Sequence, residues 1–236
     1  MKDSGINKAC RYIIFRDKDI LLNNIVSSII VLVFIFLNYK GFFRNRGESF
    51  VVLMLYVLVF GLTQINANSM VVNMTIKDKL TKRLEFVLAS DVSVKTLIKA
   101  YSIEIWRISS IIPFFLFYLT YVIFDFGKNT KWIVTIYLST ILMLFFEILY
   151  LNIVSLYKKN YKFFKNIVFF GTTILIYMIG TFSGKILSLL EKYYLNLIYI
   201  ILVINIGLAL VFAICSMKDL SKMNNESVIN KEGSWS

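Results

Sequence analysis

Six stretches of 20 residues or more carry at most two charged side chains each. They run over residues 20–39, 50–75, 100–124, 132–157, 163–182 and 194–217. About twenty apolar residues in helical form cross the hydrocarbon core of a bilayer. No backbone polar group inside that core meets water, so a run of this kind folds as a helix. The chain is 58% hydrophobic and 17% charged, with a mean hydropathy of +0.72. Soluble domains are about 45–50% apolar and about 25% charged. A single large soluble domain is therefore excluded. The expected fold is an all-α integral membrane protein of six transmembrane helices. The first run is closely followed by others and lacks a small-residue cleavage site, which excludes a cleaved signal peptide.

Lysine and arginine orient the spans. Of the 26 in the chain, eighteen fall in the N-terminal segment, the second and fourth connections and the C-terminal tail. Seven fall in the other three connections, and the last, Arg107, lies deep inside a span, whereas Lys165, counted with the fourth connection, overlaps only the first turn of the fifth run. This bias predicts both termini in the cytoplasm. It also accounts for the net charge of +12: the cations line the anionic cytoplasmic leaflet, and nucleic acid is not an expected partner. The lipid bilayer is.

Several chemistries are excluded by residue type. The chain has no histidine, so His-dependent triads and His-ligated zinc or haem are absent. The segment Gly180-Thr-Phe-Ser-Gly-Lys185 has one residue too few between its glycines for a phosphate loop, and Ile186 follows where Ser or Thr is needed. The two cysteines, Cys10 and Cys215, make no disulfide framework. The sequons at Asn73 and Asn225 lie on the cytoplasmic side and should stay unmodified.

Residues 1–19 read as an interfacial helix, with a simple continuation of the first span as the alternative. Ile6, Ala9, Tyr12, Ile13 and Ile20 form its apolar face and Lys8, Arg11 and Lys18 lie opposite, while Arg16 intrudes on the apolar side. Between the second and third spans, residues 76–99 form the longest inner connection. Leu80, Leu84, Val87 and Leu88 make one apolar stripe. Ser90, Asp91 and Ser93 then break that helix and can cap the next. The segment is either a helix lying on lipid or a docking element for a cytoplasmic partner.

In this connection the chain resembles the permeases of ABC-2-type transporters. Their pattern Leu-Glu-x-Leu-Leu-Ala-Ser-Pro-x-Ser is met by Leu84-Glu85-Phe86-Val87-Leu88-Ala89-Ser90-Asp91-Val92-Ser93. Val87 replaces a leucine and Asp91 a proline. Lys82-Arg83 stands where Gly-Thr is usual, and Ala100-Tyr101 where Gly-Lys is usual. The resemblance implies that Arg83, Leu84, Glu85, Phe86, Leu88, Ala89, Ser90 and Asp91 couple the spans to a separate ATP-binding subunit. It implies two copies of that subunit, with ATP and magnesium bound there and no cofactor in this chain. It implies a second permease, the same or related, and a role in export across the bacterial cytoplasmic membrane. The cargo would be a peptide, antibiotic or lipid. Residues 183–193 contain Ile186-Leu-Ser-Leu-Leu190, apolar but too short to span. They read as an outer re-entrant segment, where the family places extracellular helices.

Polar residues inside the spans are the remaining candidates. Glu104 and Arg107 lie three apart on one helical face, and Glu147 lies at a similar depth. In the second span Gln64 and Asn68 share one face and Asn66 belongs to another. These six line a translocation path or fix helix packing. Residues 1–217 form one permease domain, and the tail, 218–236, is expected to be loosely ordered. An ATP-independent channel or secondary carrier is the alternative function. A six-span membrane enzyme is disfavoured, because the spans hold no histidine and no paired aspartates.

Overall fold

The computed structural model describes residues 2–38, 47–90, 92–123, 130–157 and 161–229. Asp91, the connections at 39–46, 124–129 and 158–160, and the end of the tail lie outside them. Every regular element described is a helix. Five helices are long and apolar enough to cross a membrane: Ile20–Leu37, Glu48–Leu80, Val94–Val122, Lys131–Leu156 and Leu197–Ser221. This is the make-up of an all-helical, multi-pass membrane protein.

The helices follow from local signals. Helix α1 (Lys2–Arg16) ends at Asp17, whose carboxylate accepts a hydrogen bond from the Ile20 backbone N–H at 3.4 Å. Asp17 thereby caps α2 (Lys18–Asn38) and separates it from α1. Helix α3 (Glu48–Val71) runs through a π-helical turn, Val72–Ile76, into the single turn α4 (Lys77–Leu80). The chain then reverses at Thr81 and Lys82. Lys82 has φ 59°, in the left-handed region. That conformation costs an L-residue about 1 kcal/mol, which glycine avoids. Lys82→Gly is therefore expected to stabilise the chain by about 1 kcal/mol, measured by chemical unfolding in detergent. Helix α5 (Arg83–Ala89) follows. The hydroxyl of Ser93 accepts from the Thr96 backbone N–H at 3.1 Å and opens α6 (Val94–Ile123). Pro113 lies within α6 without ending it. Helix α7 (Thr130–Tyr157), α8 (Tyr161–Lys192), α9 (Leu197–Ser221) and α10 (Asn225–Ile229) complete the described chain.

The bundle has two ends, each with its own core. One cluster joins Cys10, Ile14 and Ile20 to Leu84, Leu88, Val94, Ile98, Tyr101 and Ile105. The last turns of α7, through Ile153 and Leu156, and Met223 and Val228 complete it. Helices α1, α5 and α10 thus lie at the same end. At the other end Ile35, Phe50, Val51 and Tyr121 pack together, and Leu53, Ile136, Leu197 and Ile201 form a neighbouring group. Helix α8 crosses α3 closely: a Cβ added at Gly61 would collide with the Ile176 side chain.

Residues 163–182 are helical and lie within the 32-residue helix α8. Several other sequence expectations are corrected here. Residues 183–192 continue that helix unbroken. Only Tyr193 and Tyr194, the latter at φ 53°, turn the chain. Nothing at Ser183 or Gly184 interrupts the helix, and the Ser183 hydroxyl donates back to the Gly180 carbonyl within it. The apolar face of α1 is rotated from expectation: Cys10 and Ile14 are buried, whereas Ala9 and Tyr12 are exposed. Leu80 leaves the expected stripe because the reversal at residues 81–82 separates it from α5, and it is exposed. The start of the tail is ordered, because α9 extends to Ser221 and Met223 and Val228 are buried.

Candidate functional site

Helix α5 is built from two opposed faces. Leu84 and Leu88, one helical turn apart, are buried in the end cluster. Between them Phe86 points outward and is 78% exposed. Arg83, Ala89 and Ser90 are exposed beside it, and Glu85 is half-buried. The Ser90 hydroxyl donates to the Val87 carbonyl at 2.8 Å and closes the helix. A large aromatic ring held outward on a short, internally anchored helix suits insertion into a groove of another protein.

The tail fixes this segment from the far end of the sequence. The Val94 backbone N–H donates to Asn225 Oδ1 at 2.9 Å. Asn225 Nδ2 donates to the carbonyls of Val92 at 3.0 Å and Leu88 at 3.4 Å. One amide thus joins the end of α5 to the start of α6 by satisfying backbone groups that helix ends leave open. Asn225→Ala is expected to cost about 1–2 kcal/mol and to speed amide hydrogen exchange at residues 83–94, as read by mass spectrometry.

The junction beneath α5 is charged and hydrogen-bonded. Asp78 accepts from the Tyr101 hydroxyl at 2.5 Å and meets Arg83 at 3.7 Å. Lys79, buried, donates to the Leu156 carbonyl at 2.6 Å, at the C-terminal end of α7 where free carbonyls and a cation attract. Glu104 is 1% exposed and takes a two-pronged hydrogen bond from Arg11, at 2.9 and 3.1 Å, and a third from Arg107 at 3.0 Å. Next to it the Cys10 thiol is pushed up to about 12, first by burial and then by the Glu104 and Asp78 carboxylates.

The six polar candidates separate into two pairs and two single residues. Glu104 and Arg107 bind each other, as their spacing predicts, but their third partner is Arg11 of α1. Glu147 accepts instead from Gln64 Nε2. Asn66 Oδ1 accepts from the Ser27 hydroxyl at 2.9 Å, and so faces α2. Asn68 is buried. Arg107 remains 44% exposed on its side chain. The buried atoms Gln64 Oε1 and Asn66 Nδ2 have no partner among the described residues.

Other polar residues that join the helices carry only a weak sequence signal. Asn152 accepts from Thr75 and donates to Ser102 at 3.0 Å, joining α7 to the π-helical turn and to α6. Asn205 of α9 accepts from the Tyr56 hydroxyl at 2.6 Å and donates to Ser139 at 2.9 Å and Thr140 at 3.1 Å. An asparagine in an apolar run was their only cue. At the opposite end of the bundle, an apolar cleft opens between Tyr56, Phe114, Tyr118, Tyr121 and Tyr137. Among the described residues no group of three or more His, Cys, Asp or Glu is arranged to hold a metal ion.

These features define a class: a multi-helix membrane protein with a structured segment between two of its spans at one end. Compared with known proteins, the chain matches no family model, no curated protein and no solved structure.

Proposed function

We propose that this chain is the permease subunit of an ATP-driven exporter of the ABC-2 type. It works with a second permease, the same or related, and two ATP-binding subunits dock at residues 76–99. The observation that carries this reading is α5, with Phe86 outward and Leu84 and Leu88 anchored in the core. Force applied to Phe86, Ala89 and Ser90 passes through those anchors to the ends of α3 and α6. ATP and magnesium belong to the partner subunits, and this chain does no covalent chemistry. Closure of those subunits on ATP favours an outward-open arrangement of the permeases over an inward-open one. The termini face the cytoplasm of a bacterium, and the cargo is a peptide, antibiotic or lipid taken up from that side.

The test is co-purification of the intact chain from its native cells. An ATP-binding subunit should accompany the parent protein and be lost from Phe86→Asp. Its absence from the parent complex sinks the reading. A second reading, an ATP-independent carrier or channel, is favoured by one observation: the buried Glu147–Gln64 pair within the spans. That reading expects no ATPase partner and loss of transport in Glu147→Gln.

A further inference from the structure

A cleft of about 310 Å³ opens where the end of α1 meets the end of α3. Arg16, Lys77 and Arg83 line it, together with the carboxylates of Asp17 and Asp78. Tyr12 and Asn73 complete its polar wall. We propose that this cleft binds the phosphodiester headgroup of an anionic lipid. This rests on the chain being a membrane protein and not on the exporter reading.

Charge is the first argument. Three cations against two carboxylates leave one net positive charge, which matches a singly charged phosphodiester. The carboxylates have other partners. Asp78 accepts from the Tyr101 hydroxyl and Asp17 caps α2. Their ion pairs within the cleft are long, 3.4 Å for Lys77–Asp17 and 3.7 Å for Arg83–Asp78. Tight charge-assisted bonds run at about 2.7–2.9 Å. The Lys77 and Arg83 side chains are 60% and 54% exposed, so both can turn their donors to a phosphate oxygen.

Position is the second argument. Arg16 lies just before the apolar span Ile20–Leu37, and Lys77 lies three residues before the end of Glu48–Leu80. The cleft therefore sits at the level of the lipid headgroups. Further along α2, Leu22, Ile25 and Val26 are exposed and offer an apolar surface to acyl chains. A free phosphate shares the headgroup's chemistry but not this placement.

The experiment measures binding of phosphatidylglycerol, phosphatidylcholine and inorganic phosphate to the full chain by native mass spectrometry. Phosphatidylglycerol should bind at least about tenfold more tightly than phosphatidylcholine. The double variant Arg16→Gln, Lys77→Gln should weaken phosphatidylglycerol about 30-fold and leave phosphatidylcholine unchanged. Asp17→Asn keeps a capping side chain and should tighten phosphatidylglycerol about fivefold. If the double variant fails to fold, Asp17→Asn decides, and unchanged affinity there overturns the proposal. Equal binding of the two lipids overturns it too. So does displacement of phosphatidylglycerol by millimolar inorganic phosphate, which would assign the cleft to a soluble anion.

Discussion

Phe86→Asp is expected to abolish capture of an ATP-binding subunit while changing the stability of the chain by no more than about 0.5 kcal/mol. Leu88→Asp is expected to lose the subunit as well, but by unfolding the end of the bundle. The two residues are two positions apart and differ in what surrounds them. Phe86 is exposed, so a carboxylate placed there stays in water and costs little. Leu88 is buried among Leu84, Val94 and Met223, and its carbonyl accepts from Asn225. An unpaired carboxylate at that position loses its hydration and finds no cation among the cluster residues. The expected cost is about 4 kcal/mol or more. Urea unfolding in detergent separates the variants, and a pull-down reads the partner. A folded Phe86→Asp that keeps the subunit would move the docking surface away from α5. An unchanged stability for Leu88→Asp would mean that α5 does not rest on the core.

The apolar runs were legible because each is a continuous local feature. Among the described residues, five helices are long and apolar enough to span, and the run at 163–182 is helical as well. Helix α5 was legible for the same reason: the part of the stripe from Leu84 to Leu88 lies within its seven residues and the break within four, although Leu80 lies outside it. The polar site was legible only where partners are neighbours in sequence. Glu104 and Arg107 are three apart, and their pairing could be read from spacing. Arg11 binds Glu104 across 93 positions, and Gln64 reaches Glu147 across 83. No periodicity reports contacts of that separation. The tail shows the same limit. Met223 and Val228 are too few to form a pattern, and Asn225 acts on Val94 from 131 residues away. The rotated face of α1 has a chemical cause. Arg11 is held beside the bundle by Glu104, which turns Cys10 and Ile14 inward.

Removing that restraint should have a large, readable effect on Cys10. In a Cys215→Ser background, Cys10 is the single thiol, and Glu104→Ala is expected to raise its rate of maleimide labelling at pH 8 by about 100-fold or more. Two effects act in the same direction. Burial first, and the Glu104 carboxylate second, hold the native thiol up at about 12 against an ordinary value of 9.0. Deleting the carboxylate lowers that value and leaves Arg11 without its two-pronged acceptor, so α1 loosens from α6 and the thiol meets water. The cost in stability should be about 2 kcal/mol, below the full cost of breaking a buried pair, because both arginines are nearly half exposed and can be rehydrated. Arg11→Ala should have a smaller effect, since Arg107 still neutralises Glu104. The pH dependence has a definite sign. The raised thiol favours the native state fully below pH 9. Between pH 9 and 12 the unfolded thiol loses its proton while the native one keeps it, so stability falls as pH rises through that window. Glu104→Ala should flatten that fall. Labelling as slow in Glu104→Ala as in the parent would mean that α1 is held by the burial of Cys10 and Ile14 alone, and that the Glu104 cluster serves another purpose.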